Sequence, residues 1–358
     1  MGSLIFIFFI FYEFFSLSDA FTLNNRLYKT ILLLNKHKLH LNNNVIKSNT
    51  NFNNVNNGIN NINNFSKQTK LNLASSSISL TSTKSKEGIP IPKFIRNIFS
   101  ILPTFNVGRL KVNIFGIFFA LQCWSLMLCW LVGMLILMPF KFILGNKFDS
   151  EGIIIDSFGR WWSRLTTFPH SLPRITGREN IPSRKEPTIY VSNHQSWMDI
   201  PYMGGYLPAL KFVCKKELTK IPILGKSIVW GQHIVVDRQN MAKRTEVLDQ
   251  CIDRLKRGVS ICLFPEGTRS SLPNGEMLPF QKGAFLIAQQ AGVRIVPVSL
   301  SHTGEMMPSN YLLPLRPGLF YPRLHVHPPV ETTGKTVKEL MTEVRTIIEL
   351  EIEPPFVK

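Results

Sequence analysis

Between Lys111 and Lys141 the chain runs for 29 residues, Val112 to Phe140, without a charged side chain. No other stretch constrains the fold as strongly. As a helix it would extend about 44 Å, beyond the roughly 30 Å of hydrocarbon in a bilayer. That length disfavours a helix buried in a soluble core. The expected arrangements are a tilted span or a re-entrant hairpin broken near Gly116 or Gly133. Phe158-Gly159-Arg160-Trp161-Trp162 then mixes aromatic and basic residues, as suits a membrane interface. Residues 94–160 are therefore assigned to a membrane helix or hairpin with its interfacial segment.

The segment before it reads differently. Leu4 to Phe15 is apolar apart from Glu13 and ends in Ser16-Leu17-Ser18-Asp19-Ala20, so residues 1–20 resemble a signal peptide. From Phe21 to Lys86 there is no acidic residue, and sixteen asparagines fall between Asn24 and Asn64. Such a chain has little apolar surface to bury, so residues 21–93 are expected to form a disordered leader. An apolar start followed by a basic, acid-free segment resembles the two-part leader of complex plastids. The expected destination is such a plastid, or an apicoplast-like organelle, with the endoplasmic reticulum membrane as the alternative.

Beyond residue 160 short apolar runs alternate with helical patterns. Strands are expected at 188–191, 210–213, 232–236, 259–264, 294–300 and 321–327, and helices at 197–206, 241–257, 280–291 and 335–352. Residues 161–358 thus read as one catalytic α/β domain, a buried sheet flanked by helices.

Two motifs follow strand candidates. Asn193-His194-Gln195-Ser196-Trp197-Met198-Asp199 offers an imidazole and a carboxylate. An alcohol is a poor nucleophile at neutral pH, and His194 is the kind of base that activates one. Asp199 is the group to hold its other ring nitrogen. Ser192 and Ser196 lie close enough in sequence to leave a covalent acyl-enzyme open. Phe264-Pro265-Glu266-Gly267-Thr268-Arg269-Ser270 supplies a turn glycine, a hydroxyl and a guanidinium suited to phosphate. Glu266 is expected to orient Arg269 or to bind a substrate hydroxyl. Taken singly, each motif also fits a capped turn or a solvated surface loop.

His-x4-Asp followed by Phe-Pro-Glu-Gly-Thr-Arg-Ser resembles the glycerolipid acyltransferase family. Lys215-Lys216-Glu217-Leu218, Ile221-Pro222 and Val236-Asp237-Arg238 resemble its second motif, and Val296-Pro297-Val298-Ser299 its fourth. The resemblance implies a glycerolphosphate acyltransferase-like fold with His194 as base and Asp199 as its partner. It places Glu266, Gly267, Thr268, Arg269, Arg238 and Lys215 at the phosphate and glycerol of the substrate. The implied reaction moves a fatty acyl group from acyl-carrier protein or acyl-coenzyme A to the sn-2 hydroxyl of lysophosphatidic acid, giving phosphatidic acid. Acylation of glycerol-3-phosphate at sn-1, or of another lysophospholipid, is the alternative within the class. A non-catalytic protein binding acidic lipids is a more distant one.

Charge and cysteine content set the remaining bounds. The net charge of +18 divides into +7 over residues 1–86 and +11 over 87–358. A basic catalytic part suits anionic substrates and membrane lipids. No basic-aromatic pattern supports nucleic acid as a partner. Cys123, Cys129, Cys214, Cys251 and Cys262 show no paired spacing, so free thiols are expected. His325-Val326-His327 lacks a partner motif, and neither a metal nor another cofactor is expected.

Overall fold

The computed structural model describes residues 103–353, apart from 108–109, 169–170, 238–242, 273–275, 310, 312 and 319–321. The leader segments 1–20 and 21–93 and the candidate Arg238 lie outside the described residues.

The chain enters through a two-stranded antiparallel ribbon, β1 (Phe105–Val107) and β2 (Leu110–Val112). The uncharged run then forms one 31-residue helix, α1 (Ile114–Leu144). Asn113 caps it by accepting the Gly116 N–H at 2.7 Å. The helix is long and apolar enough to cross a membrane. It does not break at Gly116 or Gly133, contrary to the hairpin expectation. Gly116 is a point of close approach, and Gly133 lies in ordinary contact with a ring. A Cβ at Gly116 would lie 3.1 Å from the Leu313 Cβ and 3.2 Å from the Pro314 oxygen, and one at Gly133 3.5 Å from the Phe158 ring.

One stripe of α1 docks on the rest of the molecule. Asn113 Nδ2 donates to the Leu315 oxygen at 2.5 Å. Phe119 joins the main core, and Gln122 Nε2 donates to the Leu165 and Phe168 oxygens at 2.7 Å. Further along, the Trp130 ring lies 5.0 Å from that of Phe158, and Met134 packs in the same small cluster. Successive contacts fall mostly three or four residues apart, the spacing of one helix face. The opposite face, including Phe118, Leu121, Leu128, Val132, Leu135 and Ile136, is exposed.

The segment read from sequence as interfacial is a helix, α2 (Ile153–Thr167), capped by Asp149 through the Ile154 and Ile155 N–H groups. Its inner face meets the sheet at an ion pair of unusual burial. Lys211 Nζ donates to Asp156 Oδ2 at 2.5 Å and to the Gly231 oxygen at 2.7 Å, and the lysine side chain is 1 % exposed.

Seven strands form the central sheet: β3 (Arg174–Thr176), β4 (Ile189–Ser192), β5 (Leu210–Lys215), β6 (Ile234–Val236), β7 (Ser260–Leu263), β8 (Ile295–Ser301) and β9 (Arg323–Val326). Their spatial order is β3-β9-β8-β4-β7-β5-β6. Strands β8, β4, β7, β5 and β6 run parallel, and β9 returns antiparallel to β8. Around them lie α3 (Asp199–Tyr206), α4 (Leu224–Trp230), α5 (Lys243–Lys256), α6 (Gly283–Ala291), the single turn α7 (Thr303–Met306) and α8 (Val337–Glu351).

Every residue of β4 and β8 is buried, which explains why both read as largely apolar runs without the alternation of a half-exposed strand. Side chains still alternate across the sheet. Ile189 and Val191 face a core with α5, α6 and α8, whereas Tyr190 faces the core of α3 and Phe119. All six strand candidates occur, shifted by a few residues. β3 and α4 were not foreseen, since three and seven residues are too few to show a period.

Candidate active site

The parallel order brings the two motifs together. β4 and β7 are neighbours in register, with Val191 opposite Leu263, so both motifs leave the sheet at its carboxyl edge. Open α/β sheets place ligands at that edge. Lys215, the last residue of β5, lies on the strand beyond β7 and ends at the same edge.

His194 Nδ1 and Asp199 Oδ2 are 2.8 Å apart. The same Oδ2 accepts the N–H groups of Gln195 at 2.8 Å and Ser196 at 2.9 Å. Asp199 opens α3 and is wholly buried, while the imidazole keeps 14 % of its surface exposed. A carboxylate accepting at one oxygen from two amides and a ring nitrogen fixes the imidazole tautomer. Nδ1 carries the proton, and Nε2 keeps the lone pair. The imidazole also stacks on Phe264, with ring centroids 4.1 Å apart and planes 18° apart.

The backbone around His194 is held as firmly. Asn193 Nδ2 donates to the Leu300 oxygen, and Asn193 Oδ1 accepts the Leu300 N–H, both at 2.8 Å. Ser192 Oγ donates to the Asn193 oxygen at 3.1 Å and Ser196 Oγ to the Met307 oxygen at 2.8 Å. Both serines are buried and neither is bonded to His194, so the geometry gives no nucleophile–base dyad.

In the second motif a turn closes from the Gly267 N–H to the Phe264 oxygen at 3.0 Å. Gly267 has φ +74°, the left-handed region that a side chain would strain. Beyond the turn, Thr268 and Arg269 are half-buried. Among the described residues nothing hydrogen-bonds or ion-pairs with the Arg269 guanidinium. Burial pulls it down from the usual guanidinium range, and the charge of Asp199 opposes that pull.

Glu266 departs from its expected role. It is 5 % exposed, and its Oε1 and Oε2 accept the N–H groups of His194 and Leu278, each at 2.7 Å. Both oxygens are thus turned to the backbone, and among the described residues neither meets the Arg269 guanidinium. Burial pushes its carboxyl up to about 7, against the two amides that favour the anion. His325 pairs with Thr176 and His327 with Ser299, each at 2.7 Å, so both are occupied within the fold. Sequence reasoning missed Asn193, Phe264 and Ser270 as supports of His194, although all three lie inside or beside the motifs.

The acyltransferase family model matches residues 173–301, which hold both motifs and the strands that carry them. A chloroplastic 1-acyl-sn-glycerol-3-phosphate acyltransferase of Arabidopsis thaliana is 35 % identical over 187 residues, 52 % of this chain and 51 % of that one. The 1-acyl-sn-glycerol-3-phosphate acyltransferase of Limnanthes alba is 30 % identical over 254 residues, 65 % of this chain and 82 % of that one. The crystal structure of the 1-acyl-sn-glycerophosphate acyltransferase of Thermotoga maritima matches with a TM-score of 0.48 and 30 % identity, over 65 % of this chain and 95 % of that one. The chain spans about half the length of several of the curated relatives it matches. With 82 % of the Limnanthes relative covered, the chain is a member of the acyltransferase family that includes these enzymes.

Proposed function

We propose that this chain transfers a fatty acyl group from an acyl thioester to the sn-2 hydroxyl of 1-acyl-sn-glycerol-3-phosphate, giving phosphatidic acid. The carrying observation is the 2.8 Å His194–Asp199 pair with the half-buried Arg269 guanidinium, which feels the charge of Asp199, at one sheet edge. The names of the relatives support the same substrate.

In this reading Nε2 of His194 takes the hydroxyl proton as the oxygen bonds to the thioester carbonyl carbon. The tetrahedral intermediate collapses with cleavage of the carbon–sulfur bond, and the departing thiolate takes the proton from the imidazolium. Asp199 stabilises that imidazolium without itself taking the proton. Arg269, with Thr268 and Lys215, holds the phosphate and so positions the hydroxyl. The thioester is already activated, so the chain's own groups suffice without a metal or prosthetic group.

The substrate is a lipid, and α1 suits the membrane in which it resides. Its docked stripe extends from Asn113 to Met134, about 30 Å of helix. A helix held sideways along the catalytic unit over that length does not cross a bilayer independently of it. The reading is that α1 lies in the bilayer surface with its exposed apolar face in lipid. The chloroplastic relative supports a plastid membrane. Finding the full chain only in the endoplasmic reticulum would overturn that part.

Steady-state kinetics in membranes test the site. His194→Ala should lower kcat by about 100- to 10,000-fold, and Asp199→Asn should also lower it severely. Arg269→Ala should raise KM for the phosphorylated acceptor by about 10- to 100-fold, with less effect on the donor. Near-normal turnover without His194 refutes the mechanism. Loss of donor affinity in place of acceptor affinity without Arg269 moves the phosphate site elsewhere.

A further inference from the structure

Arg345, on α8, lies some 150 residues along the chain from His194, yet an unbroken set of short bonds joins them. Its Nη2 donates to the Met277 oxygen at 3.0 Å and its Nη1 to the Leu278 oxygen at 2.6 Å. The Met277 carbonyl and the Leu278 N–H belong to one peptide group. That N–H donates to Glu266 Oε2 at 2.7 Å. Glu266 Oε1 in turn accepts the His194 N–H at 2.7 Å, and the His194 oxygen accepts the Ser270 N–H at 2.7 Å.

A peptide group is planar, so fixing its oxygen fixes the direction of its N–H. The guanidinium on the Met277 oxygen therefore aims the Leu278 N–H at Glu266. It also polarises that N–H into a stronger donor. Arg345 is itself held, by Glu349 at 2.8 Å one helical turn away and by the Phe280 ring at 5.3 Å. Among the described residues neither Arg269 nor Thr268 hydrogen-bonds or ion-pairs with it.

We infer that Arg345 is a positioning residue for the His194 base, acting through the Met277–Leu278 peptide and the Glu266 carboxylate. The inference rests on the reading of His194 as the base. The charge of Arg345 also favours the anionic form of Glu266, which has no proton of its own to set against two incoming N–H donors. Asp199, facing Glu266 from α3, acts in the opposite direction.

The test uses the full chain in membranes, with rates expressed per folded molecule. Arg345→Gln should lower kcat by about 10- to 100-fold, since misplacing a catalytic group by about 1 Å costs on that order. KM for acceptor and donor should stay within about twofold. Arg345→Lys, which keeps the charge and a donor, should recover part of the rate and serves if the glutamine variant folds poorly. Glu266→Gln should mimic Arg345→Gln, because an amide cannot accept both N–H groups.

Adding Arg345→Gln to Glu266→Gln should cost little more, as expected for two members of one path, whereas adding it to Arg269→Ala should multiply the losses. Unchanged kcat per folded molecule in both Arg345 variants, a raised acceptor KM alone, or independent multiplication with Glu266→Gln would overturn the inference. A chain that kept turnover without His194 would sink the base reading first. A dead His194→Ala beside normal Arg345 variants would sink only this one.

Discussion

The His194 ring has one place to be, and four neighbours see to that. Asp199 holds Nδ1, Phe264 covers one ring face, and Glu266 and Ser270 tie the main chain. Asn193 sets the chain direction just before it, replacing strand bonds that β4 can no longer make with Leu300 of β8. Asn193→Ala should leave both the N–H and the oxygen of Leu300 buried and unpaired. Each orphaned group costs about 1–3 kcal/mol, so a loss of roughly 2 kcal/mol or more is expected, with a fall in kcat as His194 shifts. Urea unfolding with parallel turnover assays checks this. A variant as stable and active as the wild type would show that water replaces the amide.

Among the elements, α2 shows how polar chemistry is used for packing. Its Asp156 meets Lys211 of β5 deep under the helix, and His233 lies beside them. Asp156→Asn leaves a buried ammonium without a counter-charge and should cost about 3–5 kcal/mol. The double change Asp156→Leu with Lys211→Met should recover most of it, measured by urea midpoints.

The same cluster makes stability depend on pH. Burial holds His233 down at about 3, so between there and its ordinary 6.5 only the unfolded chain binds the proton. That contribution is lost as pH falls through the window. Asp156, pushed up by burial from 3.8 to about 6, takes up its proton more readily in the folded state and opposes that loss. The Asp156→Asn chain should therefore lose stability more steeply than the wild type between about pH 6 and 4. An equal slope in both would mean that Asp156 titrates as it does in water.

At the scale of the whole molecule, the sheet edge that carries the candidate site and the apolar helix α1 belong to one compact unit. The two faces of α1 should respond differently to change. Phe118 and Leu121 are exposed, whereas Phe119 is 4 % exposed in the main core. Each apolar side chain removed from lipid forfeits about 1.5–3 kcal/mol of burial. Phe118→Ser with Leu121→Ser should keep the fold and its thermal midpoint but leave the chain extractable by strong salt, which screens basic contacts to anionic lipid. Phe119→Ser should instead lower the thermal midpoint. If the double variant resists salt as the wild type does, the outer face of α1 is not the anchor.

The sequence by itself determined the two motifs and their approximate frame. An imidazole and a carboxylate in one motif, a glycine turn with a guanidinium in the next, and β-branched runs before each were legible because their residue types and spacings are local requirements. The tertiary structure decided what depends on residues far apart in the chain. Glu266 has the composition of a substrate contact, but the arrival of Leu278 beside it turns both oxygens to the backbone. Gly116 and Gly133 look like breaks in an apolar helix, yet the helix runs through both, with Leu313 crowding the first and the Phe158 ring in contact at the second. Arg345 carries no signal in its own helix, where it reads as one end of a surface pair with Glu349. Its partners are backbone carbonyls, which every residue possesses, so only the folded chain can tell which of them it meets.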